Sequence, residues 1–409
     1  MTPTVLHGAA DVAPLAGGGA VLTPFSADAL ALLGDLSRRL LADAEARRHP
    51  DLQALGFWLR PSGLARLREG FAALESPGRL VVPRGVAFHV PPANVGTLFA
   101  YGWALSLLAG NRNVVRLPTR SAPEQGVLLR LLGEAMAAVG SSAVRDSSCF
   151  VRYGHDDAIS GALSRAADVR VIWGGDATVA HFRSLPVNPR CLDVAFPDRF
   201  SWAALSAEAV AAADDAALAR LAEGLARDLF WFGQKACSSP RLIVWCGTAD
   251  ACAAAAERLY PRLGGEGARL VDAGDVGGLL SRRLFLHQAA LDLPVSEVET
   301  FGALAVLRVD ASVAAEALKG PHAGGGVLYD LRLPDLAAAR SLVGPRDQTL
   351  VHFGLPATAL TEFARAVNGR GLDRIVPVGE ALTFDAVWDG IDLMAAFTRI
   401  VTVRGGEGA

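Results

Sequence analysis

A chain of 409 residues is too long for one ordinary hydrophobic core, so its length predicts at least two domains. Hydrophobic residues make up 51% of the sequence and charged residues 20%, which excludes an intrinsically disordered chain. The net charge of −3 gives no support for nucleic acid or an anionic membrane as a partner. The 5 cysteines are widely spaced without a C-x-x-C pair, which argues against a bound metal and predicts reduced thiols in the cytoplasm.

No targeting or membrane segment is expected. The first residues carry neither a basic cluster nor a clean apolar run, so they do not resemble a signal peptide. The uncharged stretch from Val90 to Asn111 is long enough to span a bilayer, but prolines and glycines interrupt it. A buried helix of an α/β domain is the better interpretation, and no membrane span is predicted.

The chain is predicted to be helical up to residue 77. Ser26 and Asp28 can cap an apolar helical run, and residues 63–74 have the spacing of an amphipathic helix. From residue 78, strand-like and helical segments alternate, which indicates parallel strands in a doubly wound sheet. Strands are expected at 79–90, with a turn at 83–85, and at 114–117, 148–153 and 169–173; helices are expected at 97–109, 124–139, 156–167 and 178–183.

The α/β alternation continues in the second half of the chain. Residues 202–227 are rich in alanine and are expected to be helical. Strands are expected at 242–246 and 268–271, with a helix over 250–263 between them, and a loop and a strand over 295–309. A glycine-rich loop at 324–326 leads into a further strand.

Cys237 is the candidate nucleophile. It lies where a helical segment gives way, through Gly233, to the strand at 242–246, so its thiol can be partly exposed. Lys235, one of only two lysines in the chain, lies two residues away. A nearby cation favours the thiolate, which is the form that attacks carbonyl groups. A small buried structural cysteine is the alternative that these residues leave open.

Gly174 and Gly175 are candidate phosphate-binding residues. They lie between a strand and a helix, where backbone N–H groups can approach phosphate oxygens. The segment contains no G-x-G-x-x-G motif, so a plain tight turn is equally compatible with the spacing.

Several segments, in order, resemble the acyl-CoA reductase branch of the aldehyde dehydrogenase superfamily, typified by the LuxC fatty acyl reductases of bacterial luminescence. They are PPANVG (91–96) with GNRNVVRLPTR (110–120), VIWGGDATV (171–179), FGQKACSSPR (232–241), VETFG (298–302) and DRIVPVGEALTFDAVWDG (373–390). The resemblance implies an aldehyde-dehydrogenase-like α/β fold, with two doubly wound domains and the active site in the cleft between them. The implied parts are an N-terminal helical segment (1–77), a nucleotide-binding domain (78–200), a catalytic domain (201–375) and a C-terminal segment that packs back on the body (376–409).

The resemblance also assigns catalytic roles. Cys237 would attack an acyl thioester, expel the thiol carrier and hold the acyl group as an enzyme thioester. The Asn94 side-chain amide and the backbone N–H of Cys237 would form an oxyanion hole, in which one donor is typically worth about 3 kcal/mol. Asn94 can also cap the helix that follows. The cysteine follows the Gly-Gln pair by three residues here, whereas two is usual in the superfamily.

Cofactor contacts are implied in the same way. Glu299 would bind the hydroxyls of the nicotinamide ribose, and Phe301 would lie beside the nicotinamide ring. Gly174 and Gly175 would face the cofactor phosphates. For Glu299, a solvated charge before a strand is the alternative that its position alone suggests.

A missing glutamate indicates the direction of the reaction. Oxidising members use a glutamate to activate the hydrolytic water, and the corresponding stretch here, 194–201, has none. Its absence favours thioester reduction over aldehyde oxidation, because a water-activating base would hydrolyse the thioacyl enzyme. Asp198 is the alternative carboxylate in this stretch.

The segment from Leu117 to Arg120 indicates the cofactor. NAD-preferring members have an acid that binds the adenosine ribose diol, and Arg120 takes its place here, after Thr119. These members also have a lysine three residues before the acid, where this chain has Leu117, and Arg116 lies one residue away from that position. An arginine can pair with a 2′-phosphate that an acid would repel, so NADPH is the expected cofactor.

The sequence therefore predicts a cytoplasmic, NADPH-dependent acyl-CoA reductase that releases a fatty aldehyde from a thioacyl-enzyme intermediate. The acyl donor is acyl-CoA or an acyl-carrier protein. The alternatives are a cysteine-dependent acyltransferase or thioesterase and a non-catalytic nucleotide-binding subunit. Acyl chain length and a homo-oligomeric state are left open. His89 and His352 are candidate acids, for which a structural role is the alternative.

Overall fold

The computed structural model describes residues 3–9, 22–92, 95–119, 123–271 and 276–405. The described residues form two compact units. Unit 1 comprises Met1–Pro197 and Phe384–Ala409, and unit 2 comprises Asp198–Thr383. Unit 2 is therefore a continuous insertion between the two segments of unit 1.

The first segment of unit 1 is a sheet with helices. Among its described residues, six strands lie in the order β1-β5-β4-β3-β6-β7; β1 is antiparallel to β5 and the other pairs are parallel. The strands are β1 (Thr4–Gly8), β2 (Arg79–Pro83, outside this sheet), β3 (Val86–Val90), β4 (Arg112–Leu117), β5 (Ser148–Arg152), β6 (Val169–Trp173) and β7 (Leu192–Phe196). The helices are α1 (Ala27–Ala42), α2 (Pro50–Trp58), α3 (Pro61–Ala72), α4 (Leu98–Leu108), α5 (Pro123–Ala138), α6 (Ser142–Asp146), α7 (Asp157–Ala166) and α8 (Asp176–Ser184).

Burial explains why the strands and helices of this part of the chain could be predicted from the sequence. Every residue of β3 and of β6 is buried, and strands covered on both faces are continuous apolar runs. The uncharged stretch around α4 is a buried helix, as predicted, with only Leu98 partly exposed. No helix in the described ranges is long and apolar enough to cross a membrane.

The strand order reverses between β3 and β6. The chain proceeds from β3 to β4 to β5 on one side, and then returns to place β6 on the other side of β3. In open α/β sheets, ligands bind outside the carboxyl ends of the strands at such a switch point. The loops that follow β3 and β6 begin at Pro91 and Gly174. The segment implied to bind the substrate carbonyl and the segment implied to bind the cofactor phosphates therefore both begin at this switch point.

Unit 2 is built on a second sheet. In its described part, seven strands lie in the order β10-β11-β12-β9-β8-β13-β14, with only β10 antiparallel to its neighbour. Apolar clusters cover both faces, so the predicted fold of two doubly wound α/β domains is confirmed. The strands are β8 (Phe200–Ser206), β9 (Pro240–Cys246), β10 (Val295–Phe301), β11 (Leu304–Val309), β12 (Val327–Leu333), β13 (Asp347–Phe353) and β14 (Arg374–Pro377). The helices are α9 (Ala207–Ala212), α10 (Asp215–Phe230), α11 (Ala249–Ala268), α12 (Val276–Asp292), α13 (Ala315–Leu318) and α14 (Ala357–Val367).

The helix predicted over 202–227 is wrong at its beginning, because 200–206 is the strand β8. Trp202 and Ala204 belong to the cluster on one face of the sheet, while Ala203 and Leu205 belong to the cluster on the other. Alanine exceeds strand formers in helix propensity by only about 0.5 kcal/mol per residue, which burial on both faces outweighs.

The strand predicted at 268–271 is also wrong, because α11 extends to Ala268 and a turn follows it.

The end of the chain, from Phe384, belongs to unit 1, whereas the preceding residues of the predicted C-terminal segment, 376–383, belong to unit 2. The part from Phe384 forms β15 (Val387–Trp388), β16 (Ile391–Asp392), α15 (Leu393–Ala396) and β17 (Thr398–Thr402). β17 pairs antiparallel with β2. The Arg84 guanidinium donates to the carbonyl oxygens of Ala396 at 2.8 Å and Thr398 at 2.7 Å, which fixes this segment beside β3.

Candidate active site

A strained turn carries the candidate nucleophile. After α10, Phe232, Gly233 and Gln234 adopt successive left-handed conformations with φ of 55°, 59° and 62°. A non-glycine residue in this conformation costs about 1 kcal/mol, so the turn needs compensating contacts. It brings the chain from the end of α10 to Cys237 and then into β9.

Gln234 supplies those contacts. Its side chain is 1% exposed. Nε2 donates to the carbonyl oxygens of Pro240 and Val327, each at 2.8 Å. Oε1 accepts from the backbone N–H groups of Gly326 at 2.9 Å and Val327 at 3.1 Å. All the hydrogen-bonding capacity of the amide is used, and the turn is thereby anchored to the beginning of β12.

The glycine-rich loop at 324–326 packs against the same turn. The N–H of Gly325 donates to the carbonyl oxygen of Gly233 at 2.9 Å. A Cβ on Gly324 would lie 2.4 Å from that oxygen, and a Cβ on Gly326 would lie 2.3 Å from the Phe230 ring. The glycines therefore serve close packing around the Cys237 turn, a role that their sequence pattern did not indicate.

Cys237 is partly exposed and is held by two polar side chains. Its Sγ accepts a hydrogen bond from Nε2 of Gln348 at 3.4 Å. Its carbonyl oxygen accepts one from Oγ of Ser201 at 2.7 Å. Ser201 and Gln348 are each fully buried, so this setting is fixed rather than solvent-averaged. Neither residue was predicted, because both lie far from Cys237 in sequence.

The cation beside the thiol is Arg241. Lys235 is exposed to solvent, whereas Arg241 is partly buried and interacts electrostatically with the Cys237 thiol and with Asp198. Burial lowers the pKa of the Arg241 guanidinium from its usual range, although it remains a cation at neutral pH. A nearby guanidinium favours the thiolate, so Arg241 provides electrostatic assistance that the sequence did not indicate.

The other cysteines are poorer nucleophile candidates. Cys149, Cys246 and Cys252 are buried. Cys191 is partly exposed, but burial, followed by the nearby Asp193 carboxylate, raises the pKa of its thiol to about 11. Burial raises the pKa of Cys246 to about 12. At Cys191, burial and Asp193 outweigh the nearby Arg170 charge, whereas Cys237 is partly exposed, accepts from the Gln348 amide and interacts with the Arg241 guanidinium.

Gly174 and Gly175 lie at the switch point of the unit 1 sheet. They connect β6 to α8, and Gly175 is the N-cap residue of that helix. The N–H groups at the beginning of α8 therefore lie at the carboxyl edge of the sheet, where they can bind an anion. A Cβ on Gly174 would lie 2.9 Å from the Thr178 side chain, so a larger residue would disturb this junction. The arrangement fits the phosphates of a dinucleotide.

Arg116 lies near the carboxyl end of β4, at the same edge of the sheet. Its guanidinium carbon lies 4.8 Å from the Tyr153 ring centroid, and Nη2 donates to the Gly154 carbonyl oxygen at 3.2 Å. Thr119 is exposed just beyond the strand. The predicted site residues Asn94 and Arg120 lie outside the described residues.

Glu299 and Phe301 lie on β10, at the edge of the unit 2 sheet. Glu299 is 3.4 Å from the Arg308 guanidinium on β11. The Phe301 ring packs against Tyr260, with 5.7 Å between centroids. Unit 2 thus contains these two predicted cofactor contacts together with Cys237, and their assignment to the cofactor stays a prediction.

The candidate acids are neutral histidines. His89 is buried and lies 3.0 Å from Oδ1 of Asn113, and burial lowers its pKa to about 4. Burial also lowers the pKa of His352. For His322, burial and then the Arg241 charge lower the pKa to about 3. Among the described residues, no group of three or more His, Cys, Asp or Glu side chains could hold a metal ion.

Comparisons with known proteins agree with this arrangement. Residues 76–259 match the family model described as acyl-CoA reductase (LuxC). A search of curated protein sequences gave no match. Several solved aldehyde dehydrogenases share the fold at low sequence identity.

An NAD-dependent benzaldehyde dehydrogenase from Corynebacterium glutamicum superposes with a TM-score of 0.65 at 15% identity, covering 96% of this chain and 86% of that chain. A 1-pyrroline-5-carboxylate dehydrogenase variant from Thermus thermophilus gives a TM-score of 0.63 at 16% identity, covering 92% and 81%. Lactaldehyde dehydrogenase from Escherichia coli gives 0.61 at 14%, covering 92% and 86%. The resemblance predicted from the sequence is confirmed: residues 76–259 match the LuxC acyl-CoA reductase model, and the chain has the fold of the aldehyde dehydrogenases.

Proposed function

We propose that this protein reduces an acyl thioester to an aldehyde, with Cys237 carrying the acyl group and NADPH as the hydride source. The observation that carries the proposal is the setting of Cys237 inside the LuxC-matching region: a partly exposed thiol with a donor to its sulfur and a guanidinium beside it. The acyl donor is an acyl-CoA or an acyl-carrier protein, and the cytoplasm is the proposed location.

In the first step the Cys237 thiolate attacks the thioester carbonyl carbon. A new C–S bond forms, the bond to the carrier sulfur breaks, and the carrier leaves as a thiol after taking up the proton that Cys237 released. The oxyanion formed on the way is assigned to the backbone N–H of Cys237 and the side-chain amide of Asn94. The hydrogen bond from Ser201 to the Cys237 carbonyl supports this step by fixing the peptide that precedes the strand.

In the second step the acyl group is reduced. A bound reduced nicotinamide would supply hydride to the carbonyl carbon. The tetrahedral oxyanion then reforms a carbonyl, the C–S bond breaks, and the electron pair returns to Cys237 as a thiolate. The absence of a glutamate from 194–201 supports release of an aldehyde, because a water-activating glutamate would hydrolyse the thioacyl enzyme. Asp198, the carboxylate in this stretch, interacts electrostatically with Arg241.

The preference for NADPH rests on unit 1. The α8 N-terminus after Gly174 and Gly175 suits phosphate binding, and Arg116 lies at the same edge of the sheet. The segment 116–120 has arginines and no acid. An arginine can pair with the 2′-phosphate of NADPH, whereas the acid of NAD-preferring members would repel it. Thr119 and Arg120 complete the proposed 2′-phosphate contacts.

An assay of NADPH consumption across acyl-CoAs of increasing chain length, with aldehyde trapped and identified, tests the proposal. The expected result is equal amounts of NADPH consumed, CoA released and aldehyde formed. Release of CoA without loss of NADPH absorbance would instead indicate an acyltransferase or thioesterase. Binding of NADPH with no acylation of Cys237 would indicate a non-catalytic nucleotide-binding subunit.

A further inference from the structure

The strand β8 is flanked by β-bulges on both sides at the level of Ser201. Towards β9, Ser201 pairs with Pro240 but Trp202 pairs with Leu242, so Arg241 has no opposing residue. Towards β13, Phe200 pairs with Asp347 and Trp202 pairs with Leu350, so β13 has two residues, Gln348 and Thr349, opposite the single residue Ser201. A bulge interrupts the alternation of faces and redirects a side chain, and bulges are frequent next to active sites.

These bulges bring side chains from both neighbours of β8 to the same thiol. Gln348 donates from β13 to Sγ of Cys237 at 3.4 Å, and Arg241 reaches the thiol electrostatically from β9. In a regular strand, Arg241 would point to the face opposite Leu242. Here it interacts electrostatically with Tyr329 and with His322, whose rings contact one another.

Gln348 is held rigidly. Its neighbour Asp347 forms a buried ion pair with Lys319 at 2.5 Å and accepts from the Gly344 N–H at 2.7 Å. Oγ of Ser201 lies 3.4 Å from Oε1 of Gln348 and accepts from the Thr349 N–H at 3.2 Å. The second lysine of the chain therefore anchors the bulge, while the lysine nearest Cys237 in sequence is exposed.

We infer that Gln348 is a positioning residue whose amide N–H stabilises Cys237 as a thiolate, with Arg241 supplying the accompanying positive charge. A hydrogen bond to a charged acceptor is about twice as strong as one between neutral groups, so the amide favours the ionised sulfur over the thiol. The effect of this hydrogen bond on aldehyde release, described next, rests on the proposed function. The sulfur is uncharged in the acyl-enzyme and regains its charge when the C–S bond breaks, so the same N–H favours aldehyde release.

Charged and titratable groups of both kinds interact with Arg241. Besides Cys237, they are Asp198 before β8, Arg346 before β13, Tyr329 on β12 and His322 in the preceding loop, and Lys235 lies on the turn that carries the thiol. His322 is neutral above pH 4 because burial and Arg241 lower its pKa to about 3, and burial raises the pKa of Tyr329 to about 12. Neither ring changes charge while a cysteine thiol titrates.

The test is the pH dependence of Cys237 alkylation by iodoacetamide in the full chain, followed by mass spectrometry of the modified peptide. Gln348→Met, which keeps the length of the side chain but has no N–H donor, should raise the apparent thiol pKa by about one unit and slow alkylation at neutral pH about tenfold. The rate at high pH, where every thiol is ionised, should be unchanged. Gln348→Glu should shift the profile further, because a carboxylate repels the thiolate.

Matched variants complete the design. Gln288→Met alters an exposed glutamine on α12 and should leave the alkylation profile as in the wild type. Arg241→Met should raise the thiol pKa, and Arg241→Lys should restore much of the wild-type value. If Gln348→Met does not fold, Gln348→Glu provides a second readout with a side chain of the original size and shape.

Wild-type alkylation profiles in both Gln348 variants would overturn the inference. The measurement uses neither acyl donor nor cofactor, so its result is independent of the proposed reductase activity. A shifted profile in a protein that never consumes NADPH would support the positioning role and contradict only the proposed function.

Discussion

Ser201 Oγ donates a 2.7 Å hydrogen bond to the carbonyl oxygen of Cys237. The hydroxyl is fully buried and also accepts from the Thr349 N–H at 3.2 Å. Through this one side chain, the central strand β8 fixes both the turn that carries the thiol and the bulge that carries Gln348. The geometry around Cys237 therefore depends on β8 as well as on the turn that carries the thiol.

Ser201→Ala should loosen the Cys237 turn. The change leaves a buried carbonyl and a buried N–H without their partner, at a cost of about 1–3 kcal/mol in the free energy of unfolding. Urea unfolding should show this loss, and alkylation of Cys237 should change even at high pH, where thiolate formation is complete. Ser296→Ala, on an exposed strand edge, is the matched control. Unchanged stability and alkylation in Ser201→Ala would contradict the role given to this hydroxyl.

Cys237→Ala should abolish covalent labelling by a radiolabelled acyl-CoA, because Cys237 is the partly exposed thiol whose sulfur accepts from the Gln348 amide and interacts with the Arg241 guanidinium. NADPH binding, followed by the change in cofactor fluorescence, should remain. Cys191→Ala should keep wild-type labelling, since burial and the Asp193 carboxylate raise the pKa of that thiol to about 11. Labelling that persists in Cys237→Ala would refute its assignment as the nucleophile.

Arg120→Glu should reverse the cofactor preference. A carboxylate at this position would repel a 2′-phosphate and could bind the ribose diol of NADH instead. We expect the ratio of kcat/KM for NADPH to that for NADH to fall at least about tenfold, the equivalent of ~1.4 kcal/mol. Arg145→Glu, on the exposed α6, should leave the ratio unchanged. An unaltered ratio in Arg120→Glu would place 2′-phosphate recognition elsewhere.

Asp228 should make unit 2 less stable as pH rises from about 4 to about 7. Its carboxylate is buried and accepts from the N–H groups of Gly379 at 2.6 Å and Ala381 at 3.1 Å. Burial outweighs these bonds and raises its pKa to about 7, above the usual value of 3.8. The unfolded chain releases this proton first, so the free energy of unfolding declines between the two pKa values and the penalty is complete above pH 7.

Asp228→Asn should flatten that decline, because the amide does not titrate. Chemical unfolding of both proteins at a series of pH values measures the difference. Asp250→Asn, which removes an exposed carboxylate from the first turn of α11, is the control for a general change in charge. A slope that is the same in wild type and Asp228→Asn over this pH range would show that Asp228 is not the titrating group.

Most of the helices and strands of unit 1 could be predicted from the sequence. β3 and β6 are buried on both faces, so they appear as apolar runs bounded by turns. The strand β1 was not anticipated, because it is stabilised by antiparallel pairing with β5, well over a hundred residues away. The prediction of a helix over β8 was wrong for a related reason. Alanine-rich sequence favours helix locally, and it forms a strand here because neighbouring elements cover both faces of β8.

The sequence by itself determined the family resemblance, the alternating α/β architecture and the choice of candidate thiol, since local composition and motif order carry that information. Only the tertiary structure decided what surrounds Cys237. Gln348 lies 111 residues away along the chain and reaches the sulfur through bulges on either side of β8. A one-residue change in strand register moves a side chain to the other face of a sheet, and such a shift depends on pairing between distant strands. The nearest lysine in sequence, Lys235, is exposed, whereas Arg241, a partly buried cation on the following strand, interacts with the thiol.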